Sequence, residues 1–277
     1  MTTYPFEVVF DVAAPDGAAT NPLTNLQNAW HVTESFQNIL DQLTGTYTAM
    51  QRLTLGKTWL DLTDAGLLAK LDQLCIHGRT EADSLIDWTG GAASVNNGAT
   101  WDSATGFTCD GISDYITMGV NPSTAGNLSQ NSASYGMLIL DGSGFASNDY
   151  LLGMEISGTP DNYLRAITTG GSVATRIQSG ADLAGGVGGA AQEGLWIASR
   201  TGAAATALYR NGSSLLTGTG ASTAVRDGDL VIGRQSATYG PANAGAWFVG
   251  AGLTPEEVEA LDAILRAHVG AVVSWSA

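Results

Sequence analysis

Basic residues are scarce in this chain: 11 Lys and Arg stand against 26 Asp and Glu, a net charge of −15 at pH 7. Nowhere do they cluster. Binding to a phosphate backbone or to an anionic membrane surface draws on such clusters, so the sequence argues against nucleic-acid and membrane partners. Charge of either sign is thin, at 13% of residues, and helix-rich enzymes usually carry more. No run of 18 apolar residues exists, which excludes a membrane-spanning helix. Met1-Thr2-Thr3-Tyr4-Pro5 lacks a basic segment followed by a hydrophobic run, so no secretory leader is expected.

Cysteine and histidine are equally sparse. Cys75 and Cys109 lie far apart and neither sits in a C-x-x-C, so two free, partly buried thiols in a reducing compartment are expected, with a single disulfide as the alternative. His31, His77 and His268 fall in separate segments with no His or Cys at ligand spacing, which argues against zinc. Each is expected at the surface or at a helix end, where a protonated His77 or His268 would favour a helix C-terminus. No Gly-x-Ser-x-Gly elbow, phosphate loop or dinucleotide fingerprint stands out.

What the chain has in quantity is glycine, 36 of 277 residues, which suits an all-β chain with many turns. Leu195 to Arg200 and Ala207 to Arg210 read as strands, and Asn211-Gly212 follows at once. Both central positions of a type I′ hairpin need positive φ, which Asn and Gly tolerate best. Ser213 to Leu216 is then the returning strand, and Asp229 to Gly233 a more buried one. Further strands are expected at 106–109, 115–118, 134–140, 150–156, 163–168 and 172–178, with 247–249 as the last. Ala181 to Ala191 reads as a mobile loop. The fold class predicted is mainly β: an antiparallel two-sheet sandwich with an N-terminal helical segment and a C-terminal capping helix.

Three regions follow. Residues 1–58 form an N-terminal arm for attachment or a cap, with a β-like Phe6 to Val12 and helical spacing through Val32, Phe36, Ile39, Leu40 and Leu43, ended by Gly45. Residues 59–100 form a helix, with Leu67, Leu68, Leu71, Leu74 and Cys75 on one stripe and Gly78 as its stop, followed by a linker at Gly90 to Gly98. Residues 101–277 hold the sandwich and a terminal helix. That helix is capped by Thr254 with Pro255 and Glu257 behind it, and Gly270 is expected just past its end.

The runs Gly66 to Leu74, Gly106 to Ile116 and Asn121-Pro122-Ser123-Thr124, with Tyr209-Arg210-Asn211-Gly212, Val231 to Arg234 and Gly252 to Glu257, resemble a family of tailed-bacteriophage virion proteins. The likeness covers about residues 59 to 270. It implies a concanavalin A-like, laminin G-like jelly roll in a tail, baseplate or head fibre or spike, often in contact with host glycans. It implies a location in the virion, assembled in the host cytoplasm. It implies no shared chemistry. Glucanases of this fold resemble one another in a Glu-x-Asp-x-x-Glu strand motif, which is missing here.

Glycosidases need two carboxylates flanking one bond. Glu155 and Glu193 are isolated, and the pairs Asp110 with Asp114 and Asp227 with Asp229 lie in turn sequences. Turn formation is the first reading of those pairs; a calcium site at Asp110 and Asp114 is the second. A sugar platform could be drawn from Trp101, Tyr115, Tyr150, Tyr163, Trp196, Tyr209, Tyr239 and Trp247, although alternate aromatics in strands are more often core. Tyr239 is the least core-like, and Asn148, Asp149 and Asn162 could line its rim. The function expected is a non-enzymatic virion protein that displays the sandwich, binds host polysaccharide by avidity, and assembles with other virion proteins as a homo-oligomer such as a trimer. A capsid decoration protein with purely structural contacts and a polysaccharide depolymerase are the alternatives.

Overall fold

The computed structural model describes residues 34–142, 149–156, 161–165, 172–186 and 193–275. The expectations for Phe6 to Val12, His31, Val32 and Asn148 lie outside the described residues. The helices are α1 (Glu34–Gln42), α2 (Ala49–Asp64), the one-turn α3 (Glu81–Ser84) and α4 (Pro255–Ser274). The first strands are β1 (Leu71–Ile76), β2 (Val95–Asn97), β3 (Thr100–Asp102), β4 (Gly106–Asp110), β5 (Tyr115–Thr117) and β6 (Ala133–Ile139). Then come β7 (Tyr150–Met154), β8 (Asp161–Arg165), β9 (Ser172–Ser179), β10 (Leu183–Gly186), β11 (Gly194–Gly202) and β12 (Ala205–Arg210). The last are β13 (Ser213–Gly218), β14 (Leu230–Ile232), β15 (Arg234–Gln235), β16 (Thr238–Tyr239), β17 (Pro241–Ala244) and β18 (Ala246–Gly250).

Two principal sheets form the antiparallel sandwich. One runs β1-β18-β6-β11-β12-β13 and the other β10-β9-β8-β7-β14-β5-β2; β17-β4-β3 and the ribbon β15-β16 are smaller additions. Side chains alternate along a strand, and the alternation sorts each sheet into two faces. Tyr135, Met137, Trp196, Leu208 and Trp247 of the first sheet meet Ile116, Leu152, Leu164, Leu230 and Ile232 of the second in one core cluster. Each such side chain is worth about 1.5–3 kcal/mol of burial.

The other face of the six-stranded sheet is covered as well. Leu74, Leu138, Ile197 and Phe248 are buried without belonging to the inter-sheet cluster, and so are Leu253 just before α4 and Val258, Leu261, Leu265, Val269 and Val272 along it. α4 packs on β13 and on α2. Its start is fixed by the expected capping box: the Thr254 side chain accepts from the Glu257 amide while Glu257 accepts from the Thr254 amide at 2.9 Å, with Pro255 in the first turn. The hairpin at Asn211-Gly212 also forms, with φ of 52° and 76° at the two residues.

The helix expected to reach Gly78 is instead two elements. α2 ends at Asp64, Gly66 turns the chain at φ 68°, and Leu71–Ile76 pairs with β18 as an edge strand of the larger sheet. Leu71, Leu74 and Cys75 fit a helical stripe, but the run is short and buried on both faces, and period alone cannot separate those cases. The free edge of β1 is closed by Asp87, whose carboxylate accepts the amides of Leu74, Thr89 and Gly91. Residues 71–97 thus supply strands to both sheets, and the expected linker at 90–98 contains β2. Likewise the expected loop at 181–191 contains β10. α4 runs through Gly270, because Val269 and Val272 carry its apolar stripe onward to a cap at Trp275. In the 1–58 segment, α1 buries Phe36 and Ile39, and Phe36 packs on Trp59 with ring centroids 5.3 Å apart.

Cys75 and Cys109 are free and buried, and burial pushes the Cys109 thiol up to about 12. His77 and His268 are buried too, a correction to the surface or helix-end positions expected of them: His77 follows β1, and His268 lies inside α4. His268 faces α2 and the segment after β1: Nδ1 lies 2.9 Å from Thr58 Oγ1 of α2, Nε2 lies 3.3 Å from the His77 carbonyl, and the ring meets Trp88 edge-on. A carbonyl only accepts, so Nε2 carries the proton of the neutral ring, and the Thr58 hydroxyl lies between Nδ1 and the Thr54 carbonyl at 3.0 Å. Burial lowers His77 and drives His268 down to about 4.

His268 therefore binds protons more weakly folded than unfolded. Stability is complete above its ordinary value of about 6.5 and falls as pH drops toward 4, by roughly 3 kcal/mol in all. Urea midpoints measured from pH 7.5 to 4.5 should fall more steeply for the natural chain than for a His268→Gln variant; parallel curves would contradict this assignment.

Candidate functional site

Among the described residues, no helix packs broadly over the outer face of the seven-stranded sheet. Leu164 points into the core, so Tyr163 and Arg165 on either side of it in β8 point outward, and Arg176 of β9, paired with Tyr163, does the same. The Arg165 guanidinium carbon lies 4.9 Å from the Tyr163 ring centre and 5.5 Å from that of Tyr150, and Arg176 lies 5.2 Å from Tyr163. Tyr150 and Tyr163 meet edge to face at 5.5 Å. Asp182 joins both cations, accepting from Arg176 Nε at 2.7 Å and from Arg165 Nη2 at 3.3 Å. Tyr163 is thus buried beneath two guanidiniums.

A second group of the same kind continues the strip. Arg234 sits 4.2 Å over the Tyr115 ring and 5.7 Å from Tyr239, the two rings being 6.3 Å apart. Glu155 accepts from Arg234 Nη2 at 2.9 Å. Arg234 and Tyr239 pair across the ribbon β15-β16, which turns at Ser236 with φ 53°. Gln235 docks that ribbon: it accepts from the Met154 amide at 2.6 Å and donates to the buried Asp161 at 2.7 Å. The ribbon lies directly over Gly153, where a Cβ would collide with Gln235 Oε1 and the Arg234 carbonyl oxygen. Gly240, beside Tyr239, similarly backs against Asp149 and Tyr150, which joins the two groups.

The expected site residues fare differently. Tyr239 is half-buried and turns its ring toward Arg234 and Tyr115. The Asp149 backbone lies against the neighbouring Gly240, whereas Asn162 is not on a rim. Asn162 is buried, donates to Met154 Sδ and accepts the Gln178 amide at 2.8 Å, as a core amide does. Of the wider aromatic set, Trp196, Tyr209 and Trp247 are buried, while Trp101, Tyr115 and Tyr150 are half-buried. The arginines were missed, though Tyr163-Leu164-Arg165 carries the signal: residues two apart in a strand share a face.

Asp110 accepts the amides of Ile112, Ser113 and Asp114 at 2.7, 2.9 and 3.1 Å, and those bonds hold its carboxyl down at about 2. Asp114 takes the Ser113 hydroxyl at 3.2 Å. This is the geometry of a turn-forming Asp. Among the described residues no group of three or more His, Cys, Asp or Glu converges as a metal site would.

No family model and no curated protein matches the chain in sequence. Among solved structures it is similar to domain 4 of AbnA, a GH43 extracellular arabinanase from Geobacillus stearothermophilus, in complex with arabinotriose. The TM-score is 0.50 at 14% identity, over 70% of this chain and 98% of that one. It is also similar to Trypanosoma rangeli sialidase in complex with 2,3-difluorosialic acid, with a TM-score of 0.50 at 12% identity, over 72% of this chain and 33% of that one. This chain therefore spans a third of the sialidase. At such identities the likeness is one of fold, the β-sandwich.

The position of the ribbon makes the face testable. Gly153→Ala should force the ribbon off β7 at an overpacking cost of about 1–3 kcal/mol. A lower melting temperature with an altered near-ultraviolet tyrosine dichroism is the expected result; an unchanged spectrum would mean the ribbon does not hold Arg234 and Tyr239 in place.

Proposed function

We propose that this chain is a non-catalytic β-sandwich module that binds surface glycans through its tyrosine–arginine face. The observation that carries the reading is the asymmetry of the sandwich. One sheet has its outer face sealed by α4, whereas the other presents three guanidiniums braced on four tyrosine rings. Stacking and ion pairing fix these side chains in advance, so little rotamer freedom is left to lose when a ligand docks. Guanidinium N–H groups suit hydroxyl-rich ligands as donors, and half-buried tyrosines offer flat apolar edges beside them. The arabinanase domain that shares the fold was solved with an oligosaccharide, which agrees with this reading.

A passive role fits the carboxylates on the face. A glycosidase acid must hold its proton near neutral pH. Asp182 goes the other way: burial would raise it, but the Tyr163 and Arg176 bonds hold it below the ordinary carboxylate range. Glu155 is tied to Arg234. Display on a tailed-phage particle, in contact with other virion proteins and in several copies, is the setting we assign, on the sequence resemblance of residues 59 to 270. Many weak copies on one particle would bind by avidity.

Titration of the full chain against an array of bacterial surface polysaccharides should give saturable binding without release of reducing sugar. Tyr239→Ala and Arg176→Ala should each weaken it by about tenfold, or 1.4 kcal/mol, with melting behaviour retained. Absence of binding to any glycan, or full affinity in both variants, would overturn the reading.

A further inference from the structure

The tyrosine–arginine face has a direction, and the strand registers fix it. Asn97 of β2 pairs with Tyr115 of β5, and both point outward because the next residue of β5, Ile116, lies in the core. Ile116 and Leu152 both pair with Ile232 of β14, so the next position on β14, Gly233, lies level with Tyr115. Gly233 donates to the Leu151 carbonyl of β7 at 2.9 Å, and the adjoining Tyr150 pairs with Arg165 of β8. These positions form a line at right angles to the strands. Glycine leaves the β14 place without a side chain, and the ribbon enters there. The Gly240 amide donates to the Gly233 carbonyl at 2.9 Å, with Tyr239 next to Tyr115 on one side and the Gly240 backbone against Tyr150 on the other.

Along the line come Asn97, Tyr115, Tyr239, Tyr150 and Arg165, with Arg234 over the first two rings and Tyr163 stacked beneath Arg165. From β2 to β8 it crosses four strand spacings, ~19 Å at about 4.8 Å each. A single sugar ring covers about one spacing, so one ring can engage one tyrosine–arginine group and leaves the other empty. Recognition of a chain end calls for a concave pocket. Among the described residues, neither the cavity lined by Thr175, Asp182 and Leu183 nor the one lined by Asp72 and Asn121 includes any of the four tyrosines. At its β2 end the line runs out on the outermost strand of the sheet, where Val95 is 56% exposed.

We infer that this face takes an internal stretch of a linear polysaccharide, laid across the strands, with sugars on both tyrosine–arginine groups at once. The inference rests on the glycan reading above and adds the class of ligand to it: a chain of about five sugars, held away from its ends. Neither group has to bind tightly alone. Once sugars occupy one group, the other meets its own from the same chain at high effective concentration. Rings already braced by Arg165 and Arg234 lose little freedom in taking them.

The test is calorimetry of the full chain with the polysaccharide it binds best on the array, partly hydrolysed and sized into fragments from the disaccharide upward. Affinity should rise about tenfold or more between disaccharide and pentasaccharide and level off beyond. Reducing the terminal aldehyde of the longest fragments to an alcohol should change nothing. Tyr115→Ala and Tyr150→Ala, both at half-buried positions, should each cost about tenfold on the longest fragments, whereas at most one of them should weaken the disaccharide. The length series is measured on the natural chain, so it decides even where a variant unfolds. Affinity independent of length, or lost on reduction of the terminal sugar, would overturn this inference and leave the glycan reading standing. Failure of every polysaccharide to bind would overturn both.

Discussion

A single phenol hydroxyl crosses the core and sets the geometry on which the outer face depends. Tyr135 rises from β6 in the middle of one sheet, and its hydroxyl reaches the carbonyl oxygens of Tyr163, at 3.0 Å, and Arg176 in the other. The β8–β9 ladder shifts register between Asp161 and Tyr163, and carbonyls near such an irregularity need partners from elsewhere. Thr175 gives the Tyr163 carbonyl a second one at 2.8 Å. Because side chains alternate, the backbone held from beneath by Tyr135 decides what stands above. Tyr163, Arg165 and Arg176 are pointed outward together, and their stacking follows. Burial raises Tyr135 well beyond the ordinary phenol range, so the hydroxyl remains protonated.

The two sheets then divide the work. The six-stranded sheet is buried on both faces, by the opposing sheet and by α4, and serves as a rigid base. The seven-stranded sheet spends its inner face on the core and keeps its outer face polar and aromatic. The acidity of the chain has a local explanation as well. Asp72, Asp87, Asp102 and Asp110 each accept at least two backbone amides in or beside turns, and Asp83 takes the amides of Thr44 and Gly45 with the Tyr47 hydroxyl. A chain with many turns needs many such acceptors, and ionised carboxylates make strong ones.

Much of the sandwich was legible in the residues. Asn211-Gly212 can hardly be read as anything but a hairpin turn, and Thr254-Pro255 with Glu257 specifies a helix start through local bonds alone. Signals of that kind are complete within a few residues. The 66–76 stretch was not legible, since a strand buried on both sides and a helix stripe share the spacing of Leu71, Leu74 and Cys75, and only pairing with β18 decides. His268 misled for a related reason: near the end of an amphipathic helix it resembles a capping residue, and its partners Thr58 and the His77 carbonyl are distant in sequence. The candidate site was half visible. Aromatic residues drew attention to Tyr115, Tyr150, Tyr163 and Tyr239, but Asn162 looked like rim and is core, and Arg165, Arg176 and Arg234 gain meaning only when three strands and a ribbon bring them side by side.

The most direct measurement is a map of ligand contact on the isotope-labelled chain in solution, using an oligosaccharide that the chain binds and following the arginine guanidinium and tyrosine ring resonances. Shifts concentrated at Arg165, Arg176, Arg234, Tyr115 and Tyr239, with the α4 side of the sandwich silent, are what the account predicts. Shifts confined to α2 and α4, or to the turn at Asp110, would place recognition elsewhere and contradict it.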